Sequence, residues 1–411
     1  EPLTELRADR AMIPASTLKV VTTATALEVL GPEFRFVTRL RAAGRWDADG
    51  VLEGDLYVTG GGDPALQSGV LREWATELAA EGLKEVRGDV IGDARFFPEE
   101  ILSGAWNWGD VGNYYGAGAA GLNVDHNRYR AVFRPGTSAG DAAELLRVEP
   151  EPYGVRLING MRTGPEGSGD RGSAFASAYG TEVRFSGTVP AGAAEFGISG
   201  ATPDPPRQAA SVMRAALSDA GVEVGGEALT DRELRERGES PSEFPAGAVD
   251  LRIHESVPLE EIVRHLHFVS DNVEAECCYR LLARRAGVER GVEAIERHWA
   301  SRGLQFEGLR MEDGSGLARA DVIRPLDLAR LLREVRRGPY GEVFYASLPA
   351  HREGRVRWKG GAMSRVRGYA GYVETRTRGE LVLVLMVNHQ EPDEAALSEW
   401  KERILERVMG L

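Results

Sequence analysis

Only two of the 411 residues are cysteine, and they are neighbours, Cys277 and Cys278. Adjacent helical positions point different ways and cannot meet disulfide geometry. The pair therefore reads as two small buried apolar residues, not as a redox or metal pair. Long apolar runs are also missing: none reaches the ~18 residues a membrane-spanning helix needs. Positive charge is scarce. Fifty Lys and Arg face 63 Asp and Glu, a net charge of −13, which argues against a nucleic-acid partner. The seven histidines lack ligand spacing. His265 and His267, two apart, diverge on a helix, so no zinc site is assigned and no cofactor is expected. "GGGDP" at 60–64 has no Lys-Ser/Thr after it and reads as a turn, not as a phosphate loop. The opening "EPLTELRADRAMIP" has no apolar signal-peptide core. Either the chain is cytoplasmic or its numbering starts after a removed segment.

What is present is an ordinary globular composition, 42% apolar and 27% charged, in a chain long enough for two or three domains. "ASTLKVVTTATALEVL" at 15–30 predicts a helix that is apolar almost all round and so central and buried. Pro14 suits its start and Gly31-Pro32 stops it. From 35 to 62 short alternating strands take over, turned at "DADG". A helix is predicted over 70–83, strands through "VRGDVIGDARFF" and "YRAVFRPG", and a surface loop over the Gly- and Ser-rich 160–174. Two more strand runs fall within 182–200, and a helix over 205–220. "RERGESPSEFPAGA" at 235–248 reads as a linker or exposed loop. From about 256 the texture is helical. The end is a hairpin around "RTRG" and a helix with apolar residues at 397, 400, 404, 405 and 408. A helical and sheet-bearing layer is thus split by a β-rich insert of about 220 residues.

Three short motifs stand out. Ser16 and Lys19 form S-x-x-K, and i, i+3 spacing puts both on one helical face, ~5–6 Å apart at Cβ. Free N–H groups in a first turn favour developing negative charge at Ser16. A lysine beside a serine becomes a base only if burial or a second cation depresses its pKa. S-x-x-K is common by chance; the apolar surroundings of Lys19 are what single this one out. "VSDNVEAE" supplies Ser270, Asp271 and Asn272. Capping explains it, but Ser270 and Asn272 at i, i+2 also suit a cleft, as a proton-relaying hydroxyl and a substrate-holding amide. "WKGGA" is the third. Glycine inside a strand is costly, so Gly360 and Gly361 beside Lys359 indicate either a bulge or another backbone lying against this edge.

S-x-x-K, S-D-N and K-T-G in that order belong to serine penicillin-binding proteins and class A β-lactamases. The chain resembles the class C penicillin-binding proteins, the D-alanyl-D-alanine carboxypeptidase/endopeptidase family of the penicillin-binding protein 4 type. Besides the three motifs, "MIPASTLKVVTTATALEVLGPEFRF", "LEGDLYVTGGGDPAL", "YYGAGAAGLNVDHNRYRAVFRPG", "MEDGSGLARAD" and "GYAGYVET" carry the likeness over residues 12–388. The resemblance implies a multi-domain α/β fold. A serine β-lactamase/transpeptidase-like domain, an antiparallel sheet with flanking helices, would carry a large β-rich insert of one or two nested domains. The expected partition is 1–34 with 256–411, 35–62 with 141–255, and 63–140.

The resemblance implies acyl transfer. Ser16 attacks the penultimate D-Ala carbonyl of a peptidoglycan stem peptide, Lys19 takes its proton, and Ser270 relays a proton to the leaving amine. Asn272 binds the peptide amide and Lys359 assists the substrate carboxylate. Backbone N–H groups of Ser16 and Ala362 form the oxyanion hole, and β-lactams acylate Ser16. One departure matters: the usual Thr/Ser is Gly360, and the next hydroxyl position is Ala362. Losing one hydrogen bond to a charged group costs ~1.5–3 kcal/mol, about one to two decades in efficiency. Impairment is therefore expected, unless Ser364, Arg365 or a water replaces the contact. Gly361 leaves room for a substrate strand. "DGSGL" at 313–317 is a Gly-rich turn that the resemblance puts near the site's rim. Tyr114 and Tyr115 either flank the cleft or belong to the insert's core. Two further readings are a catalytically weak peptidoglycan-binding protein and a β-lactamase-like hydrolase, although β-lactamases lack the insert. A cytoplasmic esterase is the remaining option; the resemblance instead implies the periplasm or envelope.

Overall fold

The helix predicted over 15–30 forms in two parts. In a computed structural model, which describes residues 2–239, 247–390 and 394–411, Ala15–Leu18 is a 3-10 turn that runs into the α-helix Lys19–Leu30. Nine consecutive residues, Lys19 to Leu27, are buried. A helix buried on every side needs partners all round, and even its hydroxyls are used: Trp299 Nε1 donates to Thr25 Oγ1 at 2.9 Å.

Two compact units emerge. The first comprises residues 1–34, 103–105 and 257–411. Its sheet is antiparallel, in the order Ala350–His351, Val356–Met363, Val366–Glu374, Glu380–Asn388. Side chains alternate across it. Val356, Trp358 and Val373 pack with Leu405 of the final helix Glu394–Met409. On the other face, Gly361 and Gly368 meet the Pro14–Thr17 backbone and side chain, and Tyr372 donates to Leu332 O of the helix Pro325–Arg337. Asn388 clamps the segment before Ser16, accepting from Ile13 N at 2.8 Å and donating to Ile13 O at 3.0 Å. Helices Leu259–Val269, Asn272–Ala286 and Gly291–Ser301 complete the unit around Lys19–Leu30. Cys277 and Cys278 are both buried, as expected of small apolar residues.

The second unit holds residues 35–102 and 106–256. The hairpin Val37–Trp46 and Val51–Thr59 lies at the centre of a seven-stranded mixed sheet. Val249–Glu255 pairs antiparallel on one side, and Glu85–Val86 and Val90–Asp93 pair parallel on the other. The helices Ser68–Ala80 and Pro205–Asp219 bury their apolar faces against it. Two three-stranded sheets share a separate core of Tyr129, Phe133, Met161 and Phe185. They are built from Arg128–Arg134, Glu144–Glu149 and Phe196–Ala201, and from Arg156–Gly164, Arg171–Phe175 and Glu182–Pro190.

Two expectations change here. Pairing within the insert does not divide at 63–140, because strands 85–86 and 90–93 join the sheet of Val51–Thr59. The predicted loop 160–174 is largely strand: Arg156–Gly164 and Arg171–Phe175 both pair with Glu182–Pro190. Composition there favours turns, but neighbouring strands satisfy the backbone, and strand propensity is the weaker term. Of the predicted linker 235–248, residues 240–246 lie outside the described residues, and Asp231–Arg237 is a short helix.

Candidate active site

Ser16 sits in the second position of the 3-10 turn, partly exposed, after an Ala15 with φ 47°. A non-glycine residue in that left-handed region costs about 1–3 kcal/mol. What holds it is close packing: Ala15 is wholly buried, and a Cβ on Gly316 would fall 2.0 Å from Ala15 O. Strand Val356–Met363 closes on the same turn. A Cβ on Gly361 would come within 2.8 Å of Pro14 O and Thr17 N and 2.9 Å of Ser16 N. Gly361 is therefore glycine because the strand lies against the chain's own nucleophile turn. At Gly360 the reverse holds: a Cβ meets nothing within 4 Å.

Lys19, fully buried, donates from Nζ to Ser16 Oγ at 3.0 Å, to Asn272 Oδ1 at 2.6 Å and to Ser315 O at 2.8 Å. Two of these acceptors are carbonyl oxygens that can only accept; the third is a hydroxyl that can also donate. Asn272 is the first residue of its helix, and Asp271 caps that helix by accepting from Glu274 N at 3.0 Å. Ser270, at φ 61°, ends the preceding helix in the left-handed conformation. Its Oγ accepts from Lys359 Nζ at 2.9 Å, and Lys359 also donates to Gly360 O at 2.8 Å. Ser16, Lys19, Asn272, Ser270 and Lys359 thus form two linked groups within the first unit.

Electrostatics connects the groups. Burial, then the charge of Lys19, lowers the Lys359 ammonium to about 7. Desolvation penalises a charged amine, and a second cation adds to that penalty. The same field reaches His267, buried between Thr23 Oγ1 and Ser347 Oγ at 2.9 Å each. Burial, then Lys359 and Lys19, lowers its imidazolium to about 3, so the ring is neutral.

Ala362 and Ser364 are exposed at the end of the strand and in the turn after it, where Arg365 has φ 61°. Tyr115 belongs to the second unit, where it stacks edge-on against Tyr114 at 5.3 Å. The "DGSGL" turn lies beneath the site instead of at its rim: Asp313 and Ser315 are buried, and Ser315 O receives Lys19. Thr22, one turn after Lys19, donates to Gly314 O at 2.7 Å. Thr22 and Asn388 carry no motif, His267 is weighed only for metal spacing, and Ser315 only as part of "DGSGL". Each acts through tertiary contacts that no local spacing reveals, although the glycines around Ser315 mark a tight turn.

The chain matches the model of the D-Ala-D-Ala carboxypeptidase 3 (S13) family over residues 1–407. It is 29% identical to a D-alanyl-D-alanine carboxypeptidase of Actinomadura sp. (strain R39), covering 94% of this chain and 76% of that protein. It is 24% identical to the D-alanyl-D-alanine carboxypeptidase DacB of Haemophilus influenzae, covering 86% and 72%. The crystal structure of penicillin-binding protein 4 from H. influenzae superposes with a TM-score of 0.84 at 21% identity, covering 100% of this chain and 94% of that one. The same protein in complex with a β-lactam gives 0.79 at 20% identity. These likenesses give the fold, a mixed α/β transpeptidase-like architecture.

Proposed function

Because the chain belongs to the D-Ala-D-Ala carboxypeptidase 3 (S13) family, we propose that it hydrolyses the D-Ala-D-Ala bond of peptidoglycan stem peptides through an acyl-enzyme on Ser16. The carrying observation is the set of partners around Lys19 Nζ. In a neutral amine two hydrogens stay on Asn272 Oδ1 and Ser315 O, and the lone pair is left for the Ser16 hydroxyl proton. That is the arrangement a general base requires. Lys19 takes the proton as Ser16 Oγ attacks the carbonyl carbon. The backbone N–H groups of Ser16 and Ala362 receive the developing oxyanion. Ser270 gives its proton to the leaving amine and takes one from Lys359 Nζ, 2.9 Å away. D-Ala departs, and water then cleaves the ester, its proton returning through Ser270 to Lys359 while Lys19 returns its proton to Ser16 Oγ. Asn272 orients the peptide amide.

Lys359 supplies charge for the substrate's carboxylate. Gly360 offers no hydroxyl beside it, and the open space there is consistent with a lower turnover than a Lys-Thr-Gly enzyme would have. Cross-linked stem peptides are proposed as a second substrate of the same step. β-Lactams, whose strained amide mimics the scissile bond, are proposed to acylate Ser16. The β-lactam complex of the H. influenzae relative supports that extension. A peptidoglycan substrate places the working enzyme in the periplasm or envelope. No helix among the described residues is long and apolar enough to cross a membrane.

The test is release of D-Ala from a diacyl-Lys-D-Ala-D-Ala peptide by wild type and by Ser16→Ala. Release by wild type alone supports the reading. No release by either, together with peptide binding, favours a peptidoglycan-binding protein. Rapid penicillin hydrolysis without peptide cleavage favours a β-lactamase-like enzyme.

A further inference from the structure

Beneath Lys19 lie three carboxyl groups that the mechanism does not use: Glu276, Asp313 and Asp321, 3%, 1% and 0% exposed. Asp313 organises the loop after it. Its Oδ1 accepts from Ser315 N at 3.0 Å and Gly316 N at 2.6 Å, and its Oδ2 accepts from Ala318 N at 2.7 Å. Glu276 Oε1 accepts from Gly314 N at 3.0 Å, and Asp321 Oδ1 accepts from Glu312 N at 2.6 Å. Carboxyl oxygens therefore take the N–H groups along 312–318 and aim the loop's carbonyls outward, Gly314 O to Thr22 and Ser315 O to Lys19.

Donor accounting fails at two side-chain atoms of this cluster, Ser315 Oγ, which can itself donate, and Asp321 Oδ2, which as a carboxylate cannot. Asp321 Oδ2 is buried and has no donor to accept from, while the Asp313 carboxyl lies within hydrogen-bonding reach. Two ionised carboxylates cannot share a dry site, and one keeps its proton. Asp313, accepting three backbone N–H bonds, is the better anion. The proton then belongs on Asp321 Oδ2, which converts an orphaned acceptor into a donor. We propose that Asp321 is a positioning residue, a buried carboxylic acid donating Oδ2–H to Asp313, so that the Ser315 carbonyl fixes Lys19 against Ser16. Burial, and then the Asp313 charge, raises Asp321 to about 10, in the same direction. Glu276 and Tyr279 also face this pair. The role rests on the reading of Lys19 as the base for Ser16.

The test compares Asp321→Asn with Asp321→Leu. The amide can accept from Glu312 N and donate to Asp313, so Asp321→Asn should keep penicillin acylation within about threefold of wild type. Leucine cannot donate. Asp321→Leu should slow acylation about ten- to a hundredfold, a misplacement effect, with the peptide's KM nearly unchanged. In D2O, wild type at neutral pH should show an infrared C=O band of a buried protonated carboxyl that Asp321→Asn lacks. The infrared comparison decides the matter even where Asp321→Leu fails to fold. The proposal is overturned by a band unchanged in Asp321→Asn, by Asp321→Leu acylating at the wild-type rate, or by Asp321→Asn as slow as Asp321→Leu. A wild type that takes no adduct overturns the reading of the site itself, and the positioning role with it, whatever the band shows.

Discussion

The two units treat buried charge differently. In the insert, three carboxylates are matched by arginine, Asp93 with Arg95, Asp231 with Arg235 and Asp204 with Arg232, while buried Asp63 is the exception, with His254 Nε2 at 3.8 Å. In the flanking unit, the buried ammonium groups of Lys19 and Lys359 donate to hydroxyls, an amide and backbone carbonyls. Asp313 and Asp321 likewise face each other and backbone N–H groups. Pairing stabilises a fold without leaving reactive groups. Burial among neutral polar groups shifts protonation, at a cost in stability, and around Ser16 and Ser270 it accompanies the candidate chemistry.

That contrast is open to attack at both ends. The largest effect is expected at the lysine–serine pair. Lys19→Met should slow penicillin acylation about 10²–10⁴-fold, the usual share of a general base, as measured by stopped-flow or quench mass spectrometry. Gly361→Ala comes next. Its methyl meets the Ser16 turn, and overpacking of this kind costs typically ~1–3 kcal/mol, read as a lower Tm with slower acylation. Gly360→Thr has room and should raise peptide turnover about ten- to a hundredfold, the converse of losing a charged hydrogen bond. No gain would show that the missing hydroxyl is not the limiting contact. In the insert, Arg95→Ala should lower stability by about 1–3 kcal/mol and leave acylation by the folded protein unchanged.

A further effect is one of pH. Lys359 titrates near 7 in the folded chain and near ~10.4 when unfolded. Between those values the unfolded chain binds more protons, so this group's contribution to stability rises with pH. The penalty is full below about 7 and relieved towards ~10.4. Lys359→Met should flatten that rise in urea titrations across the window; an unchanged slope would contradict the burial of an unmatched ammonium.

Legibility in the sequence followed the range of the interaction. Ser16 and Lys19 were readable because i, i+3 spacing acts locally, and the helix carrying them declared itself by its apolar residues. Lys359 and the 270–272 turn could be joined to them only through the resemblance. Gly361 was legible as a point of close approach; that the Ser16 turn is one of the neighbours approaching it was not. Asp321 was invisible: its meaning depends on Asp313, whose acceptors are spent on a loop that exists only in the fold. The parallel pairing of Arg156–Gly164 with Glu182–Pro190 was hidden in the same way, because no alternation in a Gly-rich stretch announces a distant partner.

The most direct measurement is the intact mass of the protein after exposure to penicillin, with the modified residue mapped by peptide sequencing. A single adduct on Ser16 in wild type, absent from Ser16→Ala, is the predicted result. A wild type that stays unmodified, or an adduct that persists in Ser16→Ala, would contradict the assignment of the buried lysine–serine pair as the acylating centre.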